Sequence, residues 1–358
     1  MRKLLLFPYH PDIELLIRQA ADLKDVSIVG VCSFREDQSI VDKVNQTLGC
    51  ACDFEERIRQ CDAVLLLDDY RESEKKKYYD VIRASLGEGK QVMIMPLLAR
   101  ELDLEEFHGQ YIVLSNILKS DFAKTKKEME WEKIKYTIES PVVAVFGMGK
   151  NCCKFENQIL LKSILDKEGY KCIWISSNPL GALFGAYTIP DFLYDDCLAF
   201  EEKVLRFNHF VYQLSANEKP DVFVIGIPEG ISKFSSHEYN HFAEYPLVIG
   251  SAVPVDSAVF CTYFMPKADV DGLKEMIYHC REKFGFPVHM VSIGRTAFER
   301  KSEFKQMAYL FLEEEYLRKH YEAVSGQPDA CAGIWEAEQI EIAVQQIIDW
   351  LRGNPDAI

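Results

Sequence analysis

The sequence has 358 residues, of which 48% are hydrophobic and 27% are charged. These are the proportions of a globular protein, so disordered, collagen-like and low-complexity chains are excluded. The chain carries 41 basic and 56 acidic residues, a formal net charge of −15, and has no long Lys/Arg run. We therefore expect neither nucleic acid nor an anionic membrane among its partners. The length favours two domains, each large enough to bury a core.

Short apolar runs alternate with helical patterns through the first part of the chain. Strands are predicted at 4–7, 26–32, 63–67, 92–95 and 111–114, and helices at 12–23, 53–60 and 74–86. Continuous Val, Ile and Leu runs are typical of buried parallel strands joined by right-handed crossovers. This pattern predicts a Rossmann-like domain at residues 1–118. Its first strand is followed by Pro8 and Pro11 rather than by a Gly-rich turn, so no dinucleotide is expected to bind at residues 1–115.

The pattern repeats after a charged linker or helix at residues 119–140. Strands are predicted at 142–146, 172–175, 222–227, 258–263 and 288–293. Helices are predicted after Phe155, ending at Glu168, and at 201–214 and 272–284. The second α/β domain is therefore placed at residues 141–300. The predicted fold class is α/β, with two consecutive Rossmann-like, doubly wound parallel-sheet domains and a helical C-terminal extension.

The C-terminal extension, residues 301–358, is predicted to contain helices at 304–321 and 335–351. The second of these helices has one apolar stripe, which consists of Ile340, Val344, Ile347 and Leu351. Such a stripe must be covered. We expect residues 304–321 to turn back and cover it as a helical hairpin. A second copy of the chain is the alternative, which would make the protein a homodimer.

One glycine-rich loop stands between the strand at 142–146 and the following helix. Its backbone N–H groups and the helix N-terminus suit a phosphate or carboxylate, and two lysines add positive charge. The predicted anion- or nucleotide-binding residues are Gly147, Gly149, Lys150, Asn151 and Lys154. A plain tight strand-to-helix turn is the alternative. The cofactor is unknown; a nucleotide is the class that this loop suggests.

The loop has the placement of a P-loop but a degenerate sequence. In the register that puts Lys154 at the lysine of G-x-x-x-x-G-K-[ST], Met148 and Cys153 replace the glycines. Phe155 replaces the hydroxyl residue that binds Mg²⁺. The dinucleotide pattern G-x-G-x-x-G fails as well, because Cys152 stands at its third glycine. No intact catalytic motif is present, so the sequence leaves open whether the protein is an enzyme.

Polar residues follow other predicted strands, at the sheet edge where α/β proteins bind ligands. The predicted pocket residues are Ser176, Ser177, Asn178, Glu229 and Arg295. The alternative for each is ordinary turn chemistry. No metal site is predicted: Cys50, Cys52 and Cys61 lack a fourth ligand, and the H-E-x-x-H letters at 237–241 stand in a short, broken segment.

The eleven cysteines are scattered, and the N-terminal apolar run stops at Pro8, too early for a signal peptide. Reduced thiols and a cytoplasmic location are therefore expected. Cys152 and Cys153 lie at a helix N-terminus between two lysines, an environment that can lower a thiol pKa. The alternative is that they are small buried hydrophobic residues.

Three segments and one helix carry a family resemblance. They are F-G-M-G-K-N-C-C-K-F (146–155), S-S-N-P-L-G-A-L-F-G (176–185), D-V-F-V-I-G-I-P-E-G (221–230) and the helix containing Asn208. With these segments the chain resembles the clostridial peptide maturation system proteins, which are encoded beside Cys-rich peptides and radical SAM maturases. The second domain is also distantly similar to P-loop NTPases.

The first resemblance implies an accessory role in maturing a ribosomally synthesised, Cys-rich peptide natural product. Its expected partners are the precursor peptide or the radical SAM maturase, and it would act by binding peptide, partner enzyme or nucleotide. The second resemblance implies an alternative, a divergent nucleotide-dependent enzyme of the NTPase or ligase kind. A nucleotide-free scaffold that dimerises through the C-terminal helices is a third possibility.

Overall fold

The computed structural model describes residues 1–34, 37–50, 54–68, 71–114, 134–233, 241–267, 269–301, 306–322 and 330–354. These residues divide into two compact units. The first unit lies within Met1–Lys126 and Pro179–Thr188, and the second lies within Lys127–Asn178 and Ile189–Ile358. The predicted linker at 119–140 falls largely on residues outside the described ranges.

The first unit is built on a parallel sheet of five strands. They are β1 (Arg2–Phe7), β2 (Val26–Val31), β3 (Ala63–Leu66), β4 (Gln91–Ile94) and β5 (Tyr111–Val113). Their order is β2-β1-β3-β4-β5 and every pairing is parallel. This doubly wound order changes direction between β1 and β3. The strands read as continuous apolar runs because they are covered on both faces: β3 and the end of β1 are fully buried.

Five helices accompany this sheet in the described part of the unit. They are α1 (Asp12–Arg18), α2 (Gln38–Thr47), α3 (Phe54–Gln60), α4 (Lys75–Gly87) and α5 (Pro96–Glu101). The sequence analysis missed α2 and α5. In α2 the core side is narrow, and its buried residues are Val41, Val44 and Asn45. The Asn45 amide exchanges two hydrogen bonds with Val31 of β2, at 2.8 and 2.9 Å, so a polar residue fixes part of this helix to the sheet.

The parallel sheet of the second unit contains the strands β6 (Val142–Gly147), β7 (Cys172–Ser176), β9 (Val222–Gly226), β10 (Ser257–Thr262), β11 (Val288–Ile293) and β14 (Cys331–Gly333). β8 (Tyr187–Thr188) lies in the segment 179–188. The order within the unit is β14-β11-β10-β6-β9-β7, with parallel pairing throughout. The chain leaves β6 towards β9 and β7, and later continues from β10 towards β11. The carboxyl ends of β6 and β10 therefore form the switch point of the sheet.

The helices of this unit are α6 (Lys154–Lys167), α7 (Phe200–Glu218), α8 (Glu244–Ala252), α9 (Val270–Phe284), α10 (Glu314–His320) and α11 (Ala337–Gly353). Two parallel α/β sheets with a C-terminal helix confirm the predicted fold class. Among the described residues no helix is long and apolar enough to cross a bilayer.

The predicted helix at 304–321 is wrong over most of its length. Residues Gln306–Phe311 form strand β13, which pairs antiparallel with β12 (Thr296–Lys301) through six residue pairs, and only Glu314–His320 is helical. Met307 and Phe311 have the four-residue spacing of a helix, but the segment also contains the strand formers Tyr309 and Phe311. The segment forms a strand rather than a helix because β12, just upstream in the chain, pairs with it, and cross-strand pairs stabilise the two-stranded antiparallel sheet.

The predicted C-terminal helix is confirmed as α11, and its stripe is covered by the same chain. Ile340, Val344, Ile347 and Leu351 are all buried. The elements that cover these residues differ from the prediction, because α11 packs on β11, β14 and α6 and not on a helix at 304–321. Since that segment is mainly a strand, no helical hairpin can form.

Candidate functional site

The loop after β6 begins at the switch point of the second sheet. The strand ends at Gly147 and α6 begins at Lys154. A side chain at position 147 would place its Cβ 2.5 Å from the Cys152 Sγ and 2.6 Å from the Cys261 carbonyl oxygen. Only glycine allows the loop to fold back so closely on β10.

Two loop residues have the left-handed backbone conformation that glycine usually supplies. Asn151 has a φ of 56° and Cys153 has a φ of 60°, and Cys153 directly precedes the first residue of α6. In the Walker A register Cys153 stands at the second glycine. The loop therefore has a glycine-like backbone conformation at this position although a cysteine stands there.

Backbone N–H groups of this loop are available over a continuous stretch. The Met148 N–H donates to the Cys261 carbonyl at 2.9 Å, and the Asn157 N–H donates to the Cys153 carbonyl at 3.1 Å. Between them, the N–H groups of residues 149–154 donate to no acceptor within the described part of the chain. Buried or half-buried backbone donors normally have a partner. Four of these residues, Gly149, Cys152, Cys153 and Lys154, are buried or half-buried, and Lys150 and Asn151 are exposed. Together their N–H groups form a cradle that suits an anion.

Both predicted lysines lie at this cradle. The Lys154 ammonium donates to the Gly149 carbonyl at 3.0 Å and also to the Glu229 carbonyl. The Lys150 ammonium is 3.3 Å from the Glu229 Oε1. The site thus contains two cations. Lys154 is held by two backbone carbonyls, and the partly exposed ion pair of Lys150 is one that an incoming anion can replace.

The segment 228–230, after β9, lies directly over the loop. A Cβ on Gly230 would be 2.3 Å from the Gly149 Cα and 2.3 Å from the Met148 carbonyl oxygen. Glu229 has a φ of 55°. Its Oε2 is buried and has no hydrogen-bond partner among the described residues. This segment, which we call the 228–230 strap, fixes the position of the loop.

Arg295 approaches the loop from the opposite side, after β11. Its backbone N–H donates to the Cys153 Sγ at 3.4 Å, and its guanidinium Nη2 is 3.0 Å from the Glu156 Oε2 in the first turn of α6. The structure therefore brings Glu229 and Arg295 to the same loop, one on either side.

The three residues after β7 join the site less directly. The Ser177 Oγ accepts a hydrogen bond from the Gln158 Nε2 at 3.1 Å, and Gln158 is a buried residue of α6. Ser176 and Asn178 bond to each other: the Asn178 N–H donates to the Ser176 Oγ at 3.1 Å, and that hydroxyl donates to the Asn178 carbonyl at 2.9 Å. This is local turn chemistry, the alternative considered from the sequence.

Sequence reasoning missed the side chains that support α6 and the loop. The Gln158 Oε1 accepts from the Trp174 Nε1 at 3.0 Å. A Cβ at Gly226 would be 2.1 Å from the Gln158 Oε1, so the glycine at the end of β9 makes room for this amide. The Tyr263 hydroxyl donates to the Lys150 carbonyl at 2.6 Å. The signal in the sequence was a glycine at or just after the ends of β6 and β9, which marks close backbone approach.

The structure corrects the reactive interpretation of Cys153. Burial raises the pKa of its thiol to about 12, and the nearby Glu156 carboxylate acts in the same direction. Burial also raises the pKa of the Cys261 thiol. The desolvation of the thiolate outweighs the helix N-terminus and the neighbouring Arg295, so at neutral pH the Cys153 thiol is protonated.

Metal-binding candidates are few in the described ranges. Residues 234–240 and Cys52 lie outside them, so neither H-E-x-x-H nor the Cys50-x-Cys52 pair is described in full. His241 is described, and its Nδ1 is 3.0 Å from the Glu244 Oε2. Within the part of the chain that the structure covers, no group of three or more His, Cys, Asp or Glu side chains could hold a metal ion.

No protein-family model and no curated protein sequence matches the chain. Among solved structures, it is similar to a DUF1611 family protein from Anabaena variabilis, with 12% identity, a TM-score of 0.56, and coverage of 97% of this chain and 100% of the other. At this identity the similarity shows a shared fold.

Two further matches are weaker. A nucleotide-binding protein in complex with ADP from Archaeoglobus fulgidus has 14% identity and a TM-score of 0.29, with coverage of 60% of this chain and 92% of the other. A pseudomurein peptide ligase type C from Methanothermus fervidus has 15% identity and a TM-score of 0.25, with coverage of 82% and 44%. Both superpose too poorly to support an argument about function.

Proposed function

We propose that the second unit binds a phosphorylated small molecule, a nucleotide or a related phosphate ester, at the loop of residues 147–154. The observation that carries this proposal is the run of six backbone N–H groups without acceptors, at the switch point of a parallel sheet and at the start of a 14-residue helix. Phosphate oxygens accept such bonds, and the helix dipole favours their charge.

The side chains at the loop support an anionic ligand. Lys154 and Lys150 exchange their present contacts with Gly149 and Glu229 for phosphate oxygens. Hydrogen bonds between charged groups contribute about 1.5–3 kcal/mol each. Arg295 supplies a third cation on the far side of the loop, held in place by Glu156. The chain as a whole is strongly acidic, so cations collected at one loop give it a local preference for anions.

Two more specific functions are proposed for a protein that binds such a ligand. A nucleotide-dependent enzyme of the NTPase or ligase kind is consistent with the placement of the loop, although Phe155 stands where a Mg²⁺-binding hydroxyl would be needed. The accessory role in maturing a Cys-rich peptide rests on the sequence resemblance and remains a prediction, as do the precursor peptide and the radical SAM maturase as partners.

The proposal is tested by titrating pyrophosphate, ADP and ATP into the full-length protein in a calorimeter. Lys154→Ala should weaken binding by about 10- to 100-fold, since one charge-assisted hydrogen bond is lost, and the double variant with Lys150→Ala should weaken it further. Lys162→Ala is the matched control, because Lys162 lies on the same helix and pairs with Asp166 away from the loop.

Binding that is unchanged in the double variant, or an absence of binding in the native protein, would contradict the proposal. In that case the loop would be a structural turn between β6 and α6. Thermal unfolding of each variant, compared with that of Lys162→Ala, shows whether a loss of binding reflects a loss of folding.

A further inference from the structure

The residue after Lys154 offers no oxygen to a metal ion. Phe155 is 7% exposed, and its ring stacks on Trp174 with the ring centroids 6.0 Å apart. Its side chain therefore belongs to the core beneath α6. A P-loop uses a Ser or Thr hydroxyl at this position to hold Mg²⁺, and here that position is filled by an aromatic packing contact.

Two carboxylates of the described residues lie at the loop, and both pair with cations. The Glu156 Oε2 is 3.0 Å from Arg295, and the Glu229 Oε1 is 3.3 Å from Lys150. The second Glu229 oxygen, Oε2, is buried and has no hydrogen-bond partner among the described residues, so a cation would have to bind a buried atom of a carboxylate that already pairs with Lys150. Mg²⁺ requires a nearly octahedral set of oxygen ligands, and each of these two carboxylates already pairs with a cation through one oxygen.

We infer that this loop binds its phosphoryl ligand as the metal-free anion, so that the ligand class is a di- or polyphosphate ester not complexed with Mg²⁺. The inference rests on the proposed function of the loop. The ammonium groups of Lys150 and Lys154 provide the charge that Mg²⁺ would otherwise provide. Because a bound Mg²⁺ cancels part of the ligand's negative charge, the magnesium complex is attracted less strongly to these two cations.

The test compares the affinity of the full-length protein for ADP and for pyrophosphate in excess EDTA and in excess Mg²⁺. The expected result is binding in EDTA and a several-fold weaker affinity when Mg²⁺ saturates the ligand. Tighter binding with Mg²⁺ overturns the inference but leaves the proposed function standing. Absence of binding in both buffers refutes the proposed function itself.

Two variants make the role of position 155 explicit. Phe155→Ser introduces the missing hydroxyl, and Phe155→Ala is its matched control, because it removes the same ring without adding an oxygen. Only the Ser variant should acquire an affinity for ADP that rises with Mg²⁺. The same Mg²⁺ response in both variants, or in the native protein, contradicts the inference. If Glu229→Gln abolishes a Mg²⁺ response of the native protein, Glu229 is a metal ligand and the inference is wrong.

Discussion

The two units place a loop of different chemistry at the same topological position. In the first unit β1 is followed by residues 8–11, in which Pro8 and Pro11 have no N–H group. The Tyr9 N–H donates to the Ser33 Oγ at 3.0 Å, and the Asp12 N–H donates to the His10 Nδ1 at 3.2 Å. In the second unit the six N–H groups of residues 149–154 have no such acceptors in the described structure.

The charged residues beside the two loops also differ: an acidic residue lies near the first loop, and two lysines lie at the second. Next to the end of β1, the neighbouring β3 is followed by Asp68, which accepts a hydrogen bond from the Leu98 N–H at 2.7 Å. The loop after β6 has Lys150 and Lys154 instead. The two switch points therefore differ in the backbone donors and cations that suit a phosphate group. That no dinucleotide binds in the first unit stays a prediction, consistent with this difference.

The largest expected effect is a loss of stability in the second unit that leaves ligand binding at the loop unchanged. Ile347 of α11 is fully buried, so Ile347→Ala should lower the free energy of unfolding by about 2–5 kcal/mol, through lost burial and a cavity. Ile342 on the same helix is 52% exposed, and Ile342→Ala should change stability by less than about 0.5 kcal/mol. Urea unfolding measures both. Below the unfolding transition, pyrophosphate affinity should be equal in the two variants; a large loss in Ile347→Ala would mean that α11 helps to shape the loop.

The next effect concerns the strap that fixes the loop. In Gly230→Ala the new Cβ would meet the backbone of Gly149 and Met148 at 2.3 Å, so the loop must move. We expect at least about tenfold weaker pyrophosphate binding and a stability cost of about 1–3 kcal/mol from overpacking. Gly87→Ala is the control from the first unit, because its Cβ would meet no atom within 4 Å. Calorimetric affinity that is equal in Gly230→Ala and the native protein would show that the strap does not position the loop.

The smallest expected effect concerns Asp68, the acidic residue near the loop of the first unit. Burial raises the pKa of Asp68 to about 6, although the Leu98 N–H and the nearby His10 act to lower it. Because the folded pKa lies above the unfolded value, the folded state binds the proton more tightly. The contribution of Asp68 to stability is therefore fully present below about pH 4 and is lost as the pH rises through about 6.

Asp68→Asn removes this dependence and keeps an oxygen for the Leu98 N–H. Relative to the native protein, the variant should gain about 1–2 kcal/mol between pH 4 and pH 7, given partial exposure of the group. Unfolding temperatures of the two proteins across this range provide the measurement. Parallel curves would show that Asp68 titrates normally, and the contrast between the two switch points would then rest on the backbone donors alone.

Much of the fold could be read from periodicity. All five strands of the first sheet and five of the six strands of the second unit's parallel sheet were predicted to within two residues, because each is a short, continuous apolar run between polar segments. α2 was missed because it attaches to its sheet partly through Asn45, a polar residue with no periodic signature. β14 was missed because it is a three-residue segment, Cys331–Gly333, which is a strand only through its pairing with β11.

At the candidate site, the sequence predicted the loop and its lysines but not their arrangement. Glycine spacing and charge marked residues 147–154 without any coordinates. That Glu229 would pair with Lys150, and Arg295 with Glu156, depended on which strands become neighbours. Strand order follows from long-range packing, so no local pattern around residues 229 or 295 contains it.

The sequence by itself determined two parallel α/β units and an amphipathic C-terminal helix, and it marked the glycine-rich loop, because these follow from local hydrophobic spacing and turn chemistry. Only the tertiary structure decided that residues 306–311 form a strand, since their partner at 296–301 competes with the helical pattern. It likewise decided that Cys153 takes a glycine-like conformation with a raised thiol pKa, because burial against β10 and Arg295 outweighs the preferences of an isolated cysteine.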